Sequence, residues 1–150
     1  MVKEDRVLYL ANVALISAVK GEISPIEAWA IESVRVEIGA TEDDLRKALA
    51  SVAHGDHQIT PVGRFSDRVR NLEDMIFVSL SDGALSKPEK PEIISFAKSI
   101  MITQDLLTKI LSETKARVNS HKAFMICTSC NNEIQTGSKF CPLCGAKTGN

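Results

Sequence analysis

The sequence predicts an all-α body of two pseudo-symmetric three-helix halves in one globule, followed by a small β-hairpin organised by cysteines. Three observations predict it. Apolar residues recur at helical spacing from Val7 to about Asn119. The order of caps and apolar positions in the first half returns 62 positions later. All four cysteines lie beyond the helices, as Cys127-x2-Cys130 and Cys141-x2-Cys144.

The first helix carries Val7, Leu10, Ala11, Ala14, Leu15 and Ala18 on one side and Leu8, Val13, Ile16 and Val19 on the other. A helix apolar nearly all round is central and covered by others. Gly21 offers it a left-handed stop. Ser24-Pro25-Ile26-Glu27 is a capping box with proline at the first helical position, and it opens a second helix through Ile31, Val34 and Ile38. Thr41 and Asp44 cap a third, which carries Leu45, Leu49 and Val52. From His54 to Arg64 the periodicity fails around Gly55, Pro61 and Gly63, which predicts a loop. Another broadly apolar helix follows through Val69, Leu72, Met75, Ile76 and Leu80 to Asp82-Gly83. Ser86 to Glu89 caps the fifth, with Ile93, Phe96, Ala97 and Ile100 on one face. Thr103 starts the sixth, through Leu107, Ile110 and Leu111 to about Asn119.

These two rounds read as one unit duplicated. Gly21 and Gly83, Ser24 and Ser86, Glu27 and Glu89, Ile31 and Ile93, Thr41 and Thr103, and Leu45 and Leu107 are each 62 positions apart. Two copies of this length are too few and too long for an open solenoid, so the halves are expected to pack on each other. The domains predicted are residues 1–120 for the helical body and 121–150 for the tail with its linker.

Totals narrow the function classes. At 150 residues, with 44% hydrophobic and 25% charged residues and a net charge of −1, no whole-chain field points to nucleic acid or an anionic membrane. Val7 to Val19 is shorter than the roughly 20 residues a span requires, and its flank is charge-balanced, so neither a signal peptide nor a membrane anchor is expected. A cytoplasmic location, where thiols stay reduced, is the expectation. No phosphate loop, nucleophile elbow or acid/base pair stands out, and the chain is expected not to be an enzyme.

The tail has the most specific chemistry. Two C-x2-C pairs can present four thiolates to one tetrahedral zinc ion from two tight turns. Cys127, Cys130, Cys141 and Cys144 are the predicted ligands, with Pro142 stiffening the second turn. Asn131 and Gly145 suit the left-handed position after each pair. Glu133-Ile134 and Lys139-Phe140 are expected to pair about a Thr136-Gly137-Ser138 turn. A tail this short buries too little to fold alone, so the metal supplies its folding energy, and four thiolates close the coordination sphere against catalysis. The segment resembles a short C-terminal zinc ribbon ending in F-C-P-x-C-G. With three lysines, no arginine and two aromatics in residues 121–150, contact with nucleic acid is not favoured over a protein partner.

The repeated Gly-x-[Ile/Leu]-Ser-x-x-Glu turn is first of all a helix cap. Asp82 and Glu89, with Asp74 two helical turns before Asp82, could also offer oxygens to calcium or magnesium. An EF-hand is excluded, because its first and third positions would be Val78 and Leu80. On Val19-Lys20-Gly21-Glu22-Ile23-Ser24-Pro25-Ile26-Glu27, Leu72-Glu73-Asp74 and Ser81-Asp82-Gly83-Ala84-Leu85-Ser86-Lys87-Pro88-Glu89, residues 4–119 resemble the TerB-like (tellurite-resistance) domain. That resemblance implies an all-helical fold of two pseudo-symmetric halves, a link to bacterial stress responses and membrane-associated complexes, an acidic metal-binding surface and no established enzymatic chemistry. It carries Glu22, Glu27, Asp82 and Glu89 over as a cation or partner surface. An Asp usual before the Gly-Glu of the first turn is Lys20 here, and an ammonium donates no lone pair to a metal.

The function expected is therefore a noncatalytic interaction or sensing module of a tellurite-resistance-like stress system, with structural zinc, protein partners and the option of a peripheral membrane complex. The alternative is a nucleic-acid-associated zinc-ribbon protein. A hydrolase built on His54-Gly55-Asp56-His57 comes third, since these residues are most simply a solvated loop.

Overall fold

The computed structural model describes residues 1–83, 85–121, 124–127, 129–135 and 140–147, and the backbone alone at 120–121, 124–125, 133 and 135. The protein is mainly helical. Among the described residues there are six helices: α1 Lys3–Ala18, α2 Pro25–Ile38, α3 Glu42–Ala53, α4 Phe65–Leu80, α5 Glu89–Ser99 and α6 Gln104–His121. Two three-residue strands follow, β1 Phe124–Ile126 and β2 Glu133–Gln135. No helix among the described residues is long and apolar enough to cross a membrane.

Local chemistry sets the helix ends. Ser24 and Thr41 each form a complete capping box, in which the hydroxyl accepts the N–H of Glu27 or Asp44 and that carboxylate accepts the cap's own N–H. The fifth helix is capped by half of this arrangement. Glu89 Oε1 accepts the Ser86 N–H at 2.9 Å, whereas the buried Ser86 hydroxyl has no partner. Gly39 closes α2 in the left-handed region at φ 73°, with Ala40 N bonded back to Arg35 O. Met101 does the same after α5 at φ 67°, with Ile102 N bonded to Ala97 O, although it carries a side chain.

Helices α1 and α4 form the centre, as their all-round apolar sequences predict. α1 packs on α3 and α4 packs on α6, while α2 and α5 each touch both central helices. Leu10, Val13, Ile16, Leu72, Met75, Ile76 and Phe77 are almost wholly buried at this centre. So is a set of polar groups. Tyr9 donates its hydroxyl hydrogen to Asp74 Oδ2, and Asn12 Nδ2 donates to Asn71 Oδ1 at 2.7 Å. Asn71 Nδ2 in turn donates to Tyr9 O at 3.3 Å. Tyr9 and Asn71, and likewise Asn12 and Asp74, are 62 positions apart, so each side-chain pair joins one position to the counterpart of the other. Buried polar groups are tolerated because they satisfy one another, and such pairs fix the register of two otherwise greasy helices.

The tail contains a pairing that the sequence did not suggest. β2 is antiparallel to β1, with Met125 opposite Ile134. Phe140 bridges to Lys147. The reason for the β1–β2 pairing is the first cysteine turn. It reverses the chain between β1 and β2, so the residues flanking that turn become neighbours. The Thr136-Gly137-Ser138 turn and Lys139 lie outside the described residues. α6 continues to His121, into what the sequence reads as linker.

Candidate metal centre

Each C-x2-C pair sits in the same backbone loop. Asn131 N bonds to Cys127 O at 2.8 Å, and Cys127 N bonds to Asn132 O at 3.0 Å. In the second loop Gly145 N bonds to Cys141 O at 2.9 Å, and Cys141 N bonds to Ala146 O at 2.8 Å. Both loops need one left-handed residue, met by Asn131 at φ 60° and Gly145 at φ 76°. These are the two residue types that adopt that region at least cost.

The loops bring all four sulfurs within 4.8 Å of one another. Cys127 Sγ lies 3.5 Å from Cys144 Sγ, and Cys130 Sγ lies 3.7 Å from Cys141 Sγ. A regular tetrahedron with zinc–sulfur bonds of about 2.3 Å has its sulfurs about 3.8 Å apart, so the cage is sized for that ion. The cysteines are free thiols rather than disulfides. Cys127 and Cys141 are buried and pack with Ile134, with Cys130 and Ala146 at the edge. This cluster is the tail's entire small core among the described residues.

Backbone N–H groups aimed at the sulfurs favour the thiolate form. The Asn132 N–H, with its side chain, holds Cys130 down at about 6, and the Cys130 and Ser129 N–H groups lower Cys127. Leu143 N donates to Cys141 Sγ at 3.4 Å. Cys144 accepts from the Ala146 N–H, yet desolvation and the neighbouring sulfurs push it up to about 12. Cys127 and Cys130 are thus drawn toward the thiolate while Cys144 is held against it. A dication removes that conflict. Four protein ligands leave no position for water or substrate, so the centre can hold structure and does not present a Lewis acid to chemistry.

Other predicted site residues do not converge in this way. Among the described residues the cysteines are the one such cluster of three or more metal-ligating groups. Asp74 does not approach Asp82. It is buried between Tyr9 and Arg117, whose guanidinium also contacts Glu37 and lies 4.0 Å over the Phe77 ring. Eight residues along a helix is about 12 Å, too far for one ion. Burial raises the Asp74 carboxyl against the opposing Tyr9 and Arg117 bonds, and burial and Asp74 together raise Tyr9. Glu27 and Glu89 are fully buried caps, so of the predicted acidic surface only Glu22 and Asp82 reach solvent. His57 uses Nε2 on Asn12 Oδ1 at 2.8 Å. Since Asn12 Oδ1 accepts, His57 must donate there, and its ring bonds the core rather than a metal. Sequence reading missed Tyr9, Asn12 and Asn71. The available signal was polar residues at counterpart positions inside both apolar helices.

A zinc-ribbon family model matches residues 126–148. The tail is thus a zinc-ribbon domain with a four-cysteine metal-binding site. No curated protein and no solved structure matches the chain. The ribbon match does not extend into the helices, and the TerB-like resemblance is supported by no family match.

Proposed function

We propose that this chain is a noncatalytic interaction module, in which a duplicated, TerB-like helical body (residues 1–120) carries a zinc ribbon (121–150) as a second contact surface. The observation that carries the reading is the closed sulfur cage. It consumes every ligand position and leaves Phe140 and Leu143 beside it largely exposed, at 61% and 66%. A metal-stapled loop with apolar side chains turned to solvent suits docking rather than turnover.

The duplication is supported by the packing: each helix contact in the first half has its counterpart 62 residues on, and the two central helices lie together. In this reading the solvent-facing rim of the paired turns, Glu22 and Asp82, is a further contact area. The system served is a bacterial stress response of the tellurite-resistance kind, in the cytoplasm or on a peripheral membrane complex. His57, on which a hydrolase would depend, is committed to Asn12.

The test is crosslinking capture from the native host with three baits: the native chain, Cys141→Ser, and the double variant Phe140→Ser/Leu143→Ser. A protein held by the native chain and lost from both variants supports the proposal. Salt-dependent nucleic acid recovered equally by all three, or turnover of a substrate, refutes it.

A further inference from the structure

The TerB-like resemblance implies a metal at the paired turns, and the residues present do not fit one. Lys20 and Asp82 are counterpart positions, 62 apart, and they meet: Lys20 Nζ lies 2.5 Å from Asp82 Oδ2. The same nitrogen lies 3.2 Å from Glu27 Oε2. Glu27 and Glu89 are also counterparts, both fully buried. Each uses Oε1 to cap its helix; Glu27 Oε2 is left to the Lys20 ammonium, and Glu89 Oε2 is buried with no hydrogen-bond partner. A buried carboxylate without a counter-ion is costly, and two at one junction need a cation. Lys20 is that cation. Its ammonium is held in the charged form by the bonds to Asp82 and Glu27 and by the field of Glu27 and Glu89, against its partial burial. The contacts are also ammonium contacts. Calcium draws its oxygens to about 2.3–2.6 Å on all sides, while the carboxylate oxygens here, with the ammonium between them, do not stand close enough together for such a cluster.

We infer that Glu27 and Asp82, with Glu89 buried in the counterpart cap, form a cation site whose resident is the Lys20 ammonium, which ties the two turns together and excludes divalent metal until it is removed. The site's ligand class is thus a tethered primary ammonium, and its vacant form would accept a small hard dication or a free alkylammonium.

Thermal melting in calcium chloride, or in propylammonium chloride at matched ionic strength, tests this. The native chain should melt at the same temperature with and without either salt, relative to tetramethylammonium chloride. Lys20→Ala should melt lower and recover about 4 °C at tenfold the dissociation constant, itself about 1 mM. Lys20→Ala/Glu89→Gln should lose that recovery. Calcium stabilising the native chain as much as the variant would overturn the inference, as would a Lys20→Ala variant indifferent to both cations. Should Lys20→Ala fail to fold, the native chain still decides. Its Lys20 15Nζ resonance should show slowly exchanging protons coupled to Glu27 and Asp82. A rapidly exchanging, solvent-like ammonium would sink the idea.

Discussion

Replacing Asn12 with Ala deletes one wholly buried side chain and four hydrogen bonds. Nδ2 donates to Thr60 O at 2.8 Å and Asn71 Oδ1 at 2.7 Å, while Oδ1 accepts from Thr60 N at 3.1 Å and His57 Nε2 at 2.8 Å. The consequences are unequal. Thr60 is exposed and water can take over its backbone groups, so its two bonds cost about 1 kcal/mol together. Asn71 is fully buried, and its stranded Oδ1 costs about 1–3 kcal/mol. His57, half-buried, adds about 0.5 kcal/mol. The total is about 3 kcal/mol, which lowers the urea midpoint by about 1.5 M for a slope near 2 kcal/mol/M. Equilibrium urea unfolding followed by helix circular dichroism measures it. Adding Asn71→Ala should cost less than the two single losses summed, because the stranded acceptor is gone. A loss under about 1 kcal/mol, or strict additivity, would refute the claim that this pair holds α1 to α4.

Three further outcomes follow from the geometry. Met101→Gly should stabilise the protein by about 0.5–1 kcal/mol, since it relieves a left-handed side-chain residue that is 85% exposed; a lower melting temperature would contradict this. Burial lowers the His57 pKa, so the unfolded chain binds the proton first and stability should fall as pH drops below about 6.5, levelling off below the depressed folded value. NMR titration of the ring checks the shift, and a value at or above the ordinary one would reverse the sign. Purified protein should carry about one zinc per chain, and Cys141→Ser should release it and collapse the dispersion of the ribbon's resonances, leaving body stability within about 0.5 kcal/mol; loss of the helices as well would show that the two parts fold as one.

What was legible in the sequence is what is decided within a few residues. Ser24 with Glu27 and Thr41 with Asp44 cap their helices through bonds three positions apart, and the residue types alone specify them. The cysteine loops are equally local, which is why all four ligands could be read directly. Pairing across distance was harder. The pairing of Glu133–Gln135 with Phe124–Ile126 escaped the sequence reading because it depends on the first cysteine turn reversing the chain. Asp74 looked like a neighbour of Asp82 because both are acidic and near in sequence, yet its side chain is directed to Tyr9 and Arg117. Average hydrophobicity hid Asn12 and Asn71, because two polar groups that satisfy each other cost an apolar helix little.

The central polar pairs also bear on descent. If both halves were identical, as in a dimer of one short ancestor, position 9 would face position 74 bearing a copy of residue 12. In the present chain those places hold Tyr9 against Asp74 and Asn71 against Asn12. Set against itself, neither half reproduces these pairs. Self-pairing of the first would set Tyr9 against Asn12, and of the second Asn71 against Asp74. Two fragments divided in the 54–64 loop should therefore re-form the Tyr9–Asp74 and Asn12–Asn71 bonds only with each other, and not in a pair of like fragments.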